Sequence, residues 1–384
     1  MDARDFTSER AGRPLKTPGP AGYWYFLPSP LPPRITWSEP LVAALSRADH
    51  ALGEVSSLAG LLPSPHLLTR PFMYHEAVLS SRIEGTRASL SDLYTYEAGN
   101  LVLFEMSDDV KEVHNYTVAL RYGLERVRDL PLSLRLLREM HGRLLAGVRG
   151  ERQRPGEFRS SQNWIGPVGS TPANAPYVPP PPAQMAECLD AFEKWLHAPS
   201  DLPPLVRIAL AHYQFEAIHP FLDGNGRIGR LLIVVLMCLW GLLAEPLLYL
   251  SPYFAARRDE YLDRLLAVSR HGAWEEWLAF FCEAVSAQAD DTATRAGKLQ
   301  RLREGYRGRV GITRMAAGLL RAVDLLFTQP IVSIPMVRDS LQVSFPTAQR
   351  YADRLRSAGI VQEMTGKHRN RLYAAAEVLA ILQE

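Results

Sequence analysis

Residues 231–244, LLIVVLMCLWGLLA, run for fourteen positions without a charged side chain. A helix that is apolar on every side must be buried on every side, because apolar surface left in water costs about 25 cal/mol per Å². The run falls short of the roughly 18 residues that cross a bilayer, so it predicts a core helix, not a membrane span. The neighbouring sequence supplies packing partners. PAQMAECLDAFEKWLH sets Met185, Leu189, Phe192 and Leu196 at spacings of three and four. PLVRIALAHYQFEAIH does the same with Leu205, Ile208, Phe215 and Ile218. From about residue 40 to 285 the pattern is helical almost throughout.

A chain of 384 residues has room for two or three domains, and 47% hydrophobic residues excludes a disordered protein. Cys188, Cys238 and Cys282 lie far apart, the pattern of reduced thiols in a cytoplasm. The N-terminus MDARDFTSER lacks the apolar stretch of a secretory signal. The expectation is a soluble, cytoplasmic protein with no membrane partner. Residues 1–40 are rich in proline and predict an irregular arm. The insert GPVGSTPANAPYVPPPP, 166–182, excludes a helix and predicts an extended or hairpin flap.

The net charge of +2 hides an asymmetry. From Arg295 onward 15 Lys/Arg stand against 7 Asp/Glu, a balance of +8; the remaining 28 and 34 leave −6 for the first 294 positions. Opposite balances predict two modules with different partners. SIPMVRDSLQ and SFPTAQRYADRLRSAG read as two short helices around a tight turn, with Ser344 as N-cap and Gly359 as stop. GIVQEM, the turn TGKHRN and RLYAA then read as strand, turn and strand, completing a winged helix-turn-helix. The predicted layout is an N-terminal region 1–130 with a helix at about 71–84, a core 131–290, a connector 291–310 and the winged domain 311–384.

The apolar helix is preceded by HPFLDGNGRIGR, His219–Arg230. Cations are disfavoured at a helix N-terminus by roughly 0.3–1 kcal/mol each, so Arg227 and Arg230 predict an anion that comes to meet them. GNGRIG has the letters of a dinucleotide loop, but a helix and not a strand leads into it. No G-K-[ST] follows, as a Walker loop requires. Glu216-x-x-His219 lacks the second pair that a di-iron site needs. A diphosphate cradle uses every residue. Free N–H groups at the helix start face the anion, and Gly224 and Gly226 allow close approach. Arg227 and Arg230 clamp phosphate oxygens. Asp223 can hold Mg²⁺ against the same oxygens, and His219 stands beside them with a side chain that takes a proton near neutral pH.

With every defined position matched, HPFLDGNGRIGR resembles the Fic-family signature H-P-F-x-[DE]-G-N-G-R-x-x-R. HGRLLAGVRG, PGEFRSSQNWIG, YVPPPP and LYLSPYFAARRDEYLDRL are similar to segments that flank it in that family. The resemblance implies an all-α Fic fold with a small β-hairpin flap, followed here by the winged helix-turn-helix. It implies transfer of AMP from ATP to a Ser, Thr or Tyr hydroxyl of a target protein, and of this protein itself. His219 would be the general base, Asp223 the Mg²⁺ ligand, and Gly224, Asn225, Gly226, Arg227, Ile228, Gly229 and Arg230 the ATP cradle. The flap would align the target by strand addition. Doc-type relatives that phosphorylate carry lysine where this chain keeps Gly226, which favours nucleotidyl transfer. Relatives often have Asn where this chain has Arg257 before Arg258, a departure that bears on how adenosine is seated. His75, His114, His141, His197 and His212 read as structural.

HEAVLSSRIEGT raises the mirror-image problem. Its helix should stop at Gly85, leaving Glu84 at a C-terminus where an anion is disfavoured. Pairing Glu84 with Arg230 would relieve both misplaced charges. SSRIEG also resembles the Fic inhibitory motif [ST]-x-x-x-E-[GN] through Ser80, Glu84 and Gly85, which implies competition between Glu84 and the ATP γ-phosphate for Arg230. Two alternatives stay open. One is a DNA-binding regulator whose Fic core senses nucleotide, reading a groove with Gln349, Arg350 and Arg354 and phosphates with Lys367, His368 and Arg369. The other is AMP removal by a water that Glu84 positions. The winged helix also suits protein docking or a homodimer.

Overall fold

A computed structural model describes residues 1–19, 22–61, 66–99, 107–311, 316–366 and 370–384. The chain opens with strands β1 (Gly12–Lys16) and β2 (Trp24–Pro28). Helices α1 (Glu39–Leu61), α2 (His66–Ile83), α3 (Leu90–Ala98), α4 (Asp108–Arg126) and α5 (Leu134–Leu144) follow. Next come α6 (Pro182–His197), α7 (Pro204–Ile218), α8 (Asn225–Leu239), α9 (Ser251–Ala256), α10 (Arg258–His271) and the long α11 (Trp274–Val310). The C-terminal region holds α12 (Ala316–Thr328), β3 (Ile331–Ser333), α13 (Ile334–Leu341), α14 (Phe345–Ser357), β4 (Gln362–Glu363), β5 (Leu372–Ala374) and α15 (Ala376–Gln383). No helix among the described residues is long and apolar enough to cross a membrane.

The chain divides into two compact units. One comprises Met1–Gly53, Val118–Leu243 and Tyr253–Ala287; the other comprises Glu54–Thr117, Ala244–Pro252 and Gln288–Glu384.

In the first unit α8 takes most of the uncharged run and packs against α7, which is itself buried along nearly its whole length. Gly229 makes the approach possible: a Cβ there would fall 2.2 Å from Glu216 Oε1. Trp277 closes the far side of α7, donating its indole N–H to Ala209 O at 3.0 Å, within an aromatic cluster of Phe254, Tyr261 and Phe280. His212 is buried there, its pKa pushed down to about 3 by desolvation, with Nδ1 donating to Gly229 O and Nε2 accepting from Tyr261.

The N-terminal arm is not irregular, which corrects the sequence expectation. β1 and β2 pair antiparallel from Gly12↔Pro28 to Lys16↔Trp24. Phe26, fully buried, donates its N–H to Val178 O at 2.8 Å and stacks on Phe6 at 5.3 Å. The prolines mostly flank the strands, and Pro14 is tolerated because a two-stranded sheet has only edge strands.

In the second unit α2 begins at His66, five residues before the expected start, with Pro71 inside it. A proline this close to a helix start forfeits one backbone bond, which tertiary packing outweighs. α12, α15 and α3 pack on α2. Buried Glu76 on α2 accepts from Tyr116 Oη at 2.7 Å, Ser251 Oγ at 2.6 Å and Ser251 N at 3.1 Å. The three strands form an antiparallel sheet in the order β3-β5-β4. Between β3 and β4, α13 ends on Gln342 at φ +54°, and Gly359 beyond α14 has φ +67°. Ser344 precedes α14 without capping it, because its hydroxyl bonds that of Thr347 at 2.9 Å. Lys367, His368 and Arg369 lie outside the described residues.

Four of the C-terminal basic residues are bonded within this unit. Arg303 grips Asp324 of α12 at 2.7 and 3.0 Å, and Arg309 grips Glu377 of α15 at 2.9 and 3.1 Å. Lys298 pairs with Glu384, and Arg295 donates to Ile381 O and Leu382 O at the end of α15.

Candidate active site

The site is built where α7 ends. Its C-cap is His219, at φ +50° and ψ +60°, a left-handed conformation that costs a non-glycine residue on the order of 1 kcal/mol. Surrounding bonds over-determine that conformation. His219 N–H donates to Phe215 O at 3.0 Å. The Arg159 guanidinium, 2% exposed, donates to His219 O at 2.9 Å, Ile218 O at 3.4 Å, Pro180 O at 2.5 Å and Ser161 O at 3.3 Å. A cation suits the negative end of α7. Desolvation lowers the Arg159 pKa to about 10, which leaves it charged at neutral pH. Asn163 Nδ2 adds bonds to Phe221 O at 2.8 Å and His219 O at 3.3 Å.

The His219 ring is oriented by its own helix. Nδ1 lies 3.3 Å from Glu216 O, and a carbonyl can only accept, so the proton of the neutral ring sits on Nδ1 and the lone pair on Nε2. Glu216 Oε2 is 3.9 Å from the same nitrogen.

The loop from Pro220 to Gly224 is closed from both sides. Asn225 folds back on Phe221, its Oδ1 accepting Phe221 N–H and its Nδ2 donating to Phe221 O, both at 2.8 Å. The Asn225 side chain is thus spent on the loop, and what it can offer an anion is backbone. His141 lies flat on the Phe221 ring at 3.8 Å. Its Nδ1 accepts Gly156 N–H at 2.9 Å, so its Nε2 donates to Asp223 O at 3.0 Å. Desolvation holds the His141 pKa down at about 4, keeping this tautomer neutral.

α8 starts at Asn225 with no side-chain cap, and Gly224 precedes it at φ +77°. Arg227 and Arg230 are 1% and 2% exposed, so two guanidiniums are buried at the positive end of a helix. Asp223 Oδ1 accepts Gly224 N–H at 2.6 Å and lies 3.4 Å from Arg227. Its side chain remains about one-third exposed, and its Oδ2 leaves no room for a Cβ on Gly150. Ile228 and Gly229 face the core. A carboxylate and an imidazole thus stand beside a helix start, whose free N–H groups favour anions.

His219, Asp223, Gly224, Asn225, Gly226, Arg227, Ile228, Gly229 and Arg230 thus share one loop and helix start in the first unit. Ser80, Glu84 and Gly85 lie in the second, at the end of α2. Ser80 is fully buried, Glu84 is exposed, and Gly85 has φ +95°. Sequence reasoning did not find Arg159 or Asn163 and read His141 as merely structural. The flap 166–182 is pinned at its stem by paired bonds between Ile165 and Tyr177, by Tyr177 Oη to Ala217 O at 2.8 Å, and by Arg159 to Pro180. Val168 on its outer turn is fully exposed.

Two family models match the chain: the Fic/DOC family N-terminal model over residues 42–125 and the Fic/DOC family model over 131–237. Among curated proteins, the protein adenylyltransferase Fic of Drosophila virilis is 36% identical over 133 residues, which is 34% of this chain and 25% of that protein. The Drosophila melanogaster protein of the same name is 34% identical over the same length. The chain thus spans about a quarter of the length of these relatives. Among solved structures, a Fic family protein from Desulfovibrio desulfuricans G20 shares the fold at a TM-score of 0.59 and 19% identity, over 90% of this chain and 98% of that one. Fic-1 (residues 134–508) from C. elegans aligns at a TM-score of 0.52 and 23% identity, over 67% and 74%.

Proposed function

We propose that this chain, which belongs to the Fic/DOC family through residues 42–125 and 131–237, transfers AMP from ATP to a Ser, Thr or Tyr hydroxyl of a target protein and of itself. The name of its curated relatives, protein adenylyltransferase, supports the reading. The observation that carries it is the conjunction at the end of α7. An imidazole with its lone pair on Nε2 stands on the loop that opens an uncapped helix start bearing two buried arginines. In the reaction the target hydroxyl oxygen attacks the α-phosphorus. The bond from that phosphorus to the bridging oxygen breaks, and pyrophosphate leaves. His219 Nε2 takes the hydroxyl proton, and Arg227 and Arg230 take up charge on the phosphates.

Among the described residues no three His, Cys, Asp or Glu side chains group to hold a metal. One partly exposed carboxylate, Asp223, suits Mg²⁺, which commonly binds through one or two carboxylates together with nucleotide phosphates. Mg²⁺ would supply charge neutralisation at the phosphates. The flap would receive an extended target segment along the Ile165 edge.

By its resemblance to the inhibitory motif, Glu84 restrains transfer by competing with the γ-phosphate for Arg230, and Ser80 and Gly85 shape the end of its helix. The same glutamate could instead position a water for AMP removal. The region from 311 onward is read as a winged helix-turn-helix that docks a partner in the cytoplasm or a second copy of the chain. Arg350 and Arg354 are exposed on α14, which keeps DNA among those partners, with the Fic core then acting as a nucleotide sensor.

Mass spectrometry of the protein and of lysate proteins after incubation with ATP and Mg²⁺ tests the reading. It expects one AMP per modified hydroxyl, lost when EDTA replaces Mg²⁺. Phosphate in place of AMP, or no adduct with Glu84→Gly, would refute it.

A further inference from the structure

Most of a helix's stability in a protein comes from tertiary packing, and Pro71 weakens α2 further, so its place is set by what packs on it. In this unit the packing comes largely from the C-terminal region. α12 and α15 lie against α2, and β3 lies against α3. Gln329, just beyond α12 and 1% exposed, donates from Nε2 to Tyr94 O at 3.2 Å and Ile331 O at 3.0 Å. The fully buried Tyr94 ring of α3 packs on the Tyr74 ring of α2 at 5.1 Å. Tyr74 and Arg70 of α2 both bond Glu97 of α3. At the other end Gln383 of α15 donates to Ser91 Oγ of α3 at 3.1 Å. The ion pairs of Arg303 with Asp324 and Arg309 with Glu377 pin α12 and α15 to α11.

The tail therefore does not hang from the chain as a separate appendage; its helices form one wall of the pocket in which α2 sits. An independent module would have no reason to send a buried amide into α3 or to present helices to α2. We propose that α12, β3 and α15 are a regulatory seat for α2: by fixing the helix that leads to Glu84 they keep the restraint in place, and loosening them releases AMP transfer. The inference rests on the restraint proposed above. It also gives a partner that binds the tail a physical means of changing activity, since the partner need only shift the equilibrium of one packed wall.

The test uses the full chain, with Gln329→Ala made alone and with Glu84→Gly. Hydrogen exchange is followed across residues 66–83, and the initial rate of AMP incorporation is measured with α-labelled ATP. The expected result is faster exchange in α2 and a several-fold higher rate when Glu84 is present, with no further rise when Glu84→Gly is already in place. Unchanged exchange in α2 overturns the seat. So does faster exchange with an unchanged rate, and so does an equal rise in both backgrounds. If Glu84→Gly alone leaves the rate unchanged, the restraint itself falls, and with it any regulatory role for the seat. Should Gln329→Ala not fold, Asp324→Asn, at the ion pair between α11 and α12, carries the same comparison.

Discussion

Two sets of arginines divide the molecule. Arg227 and Arg230 are buried at the start of α8, where the helix has no side-chain cap and its own field opposes them. Arg303 and Arg309 of α11 each face a carboxylate in bidentate geometry. The first pair lies inside the protein at the positive end of a helix, with Asp223 3.4 Å from Arg227. The second ties α11 to α12 and α15. The lesson is that a cation's meaning lies in where the fold places it, which a count of charges cannot show.

The largest expected effects fall on the disfavoured set. Arg230→Ala should lower the rate of AMP transfer about 10²-fold, because a misplacement near 1 Å at the reacting phosphate is worth that much. Glu84→Gly should raise transfer by a comparable factor, and Arg230→Ala should stay impaired in the double variant. Initial labelling rates of the two singles and the double decide this; a double variant as fast as Glu84→Gly would remove Arg230 from the cradle.

Next comes acid sensitivity around the site. His141 and His212 hold pKa values of about 4 and about 3 in the folded chain, both depressed by burial, against about 6.5 unfolded. Below pH 6.5 the unfolded chain binds protons that the folded chain refuses. Stability should therefore fall as pH drops from 6.5 toward 4, by up to about 1.4 kcal/mol per pH unit per histidine. Urea melts at several pH values would show it. His212→Gln should flatten the slope, and an unchanged slope would mean that the ring is protonated in place.

The smallest effect belongs to the second set. Arg303→Ala should cost about 0–1 kcal/mol in thermal unfolding and leave ATP affinity unchanged, because the pair it breaks is only partly buried. A loss of ATP binding would erase the distinction between the two sets.

That Arg227 and Arg230 meet at one helix start beside Asp223 was legible in the sequence, because a charge at a helix start is a local conflict, visible in HPFLDGNGRIGR itself. What holds His219 was not. Arg159, Asn163 and His141 act on backbone carbonyls and N–H groups of Ile218, His219, Phe221, Asp223 and Gly156, and every residue has those. The arm misled for a similar reason: its proline content argues against regular structure, but the pairing of Tyr25 and Phe26 across the hairpin and the long-range bond from Phe26 to Val178 decide otherwise. The tail's net charge was legible, but which of its arginines face Asp324 and Glu377 was not, because those pairs join residues of different helices.

Which phosphate stays on protein decides whether the His219 loop delivers the α-phosphate of ATP to a hydroxyl. The Glu84→Gly chain would be incubated with Mg²⁺ and ATP labelled at either the α or the γ position, with and without His219→Ala. Covalent label is expected from α-labelled ATP only, reduced about 10²–10⁴-fold by His219→Ala with ATP binding retained. Label from the γ position, or α-label undiminished in His219→Ala, would contradict it.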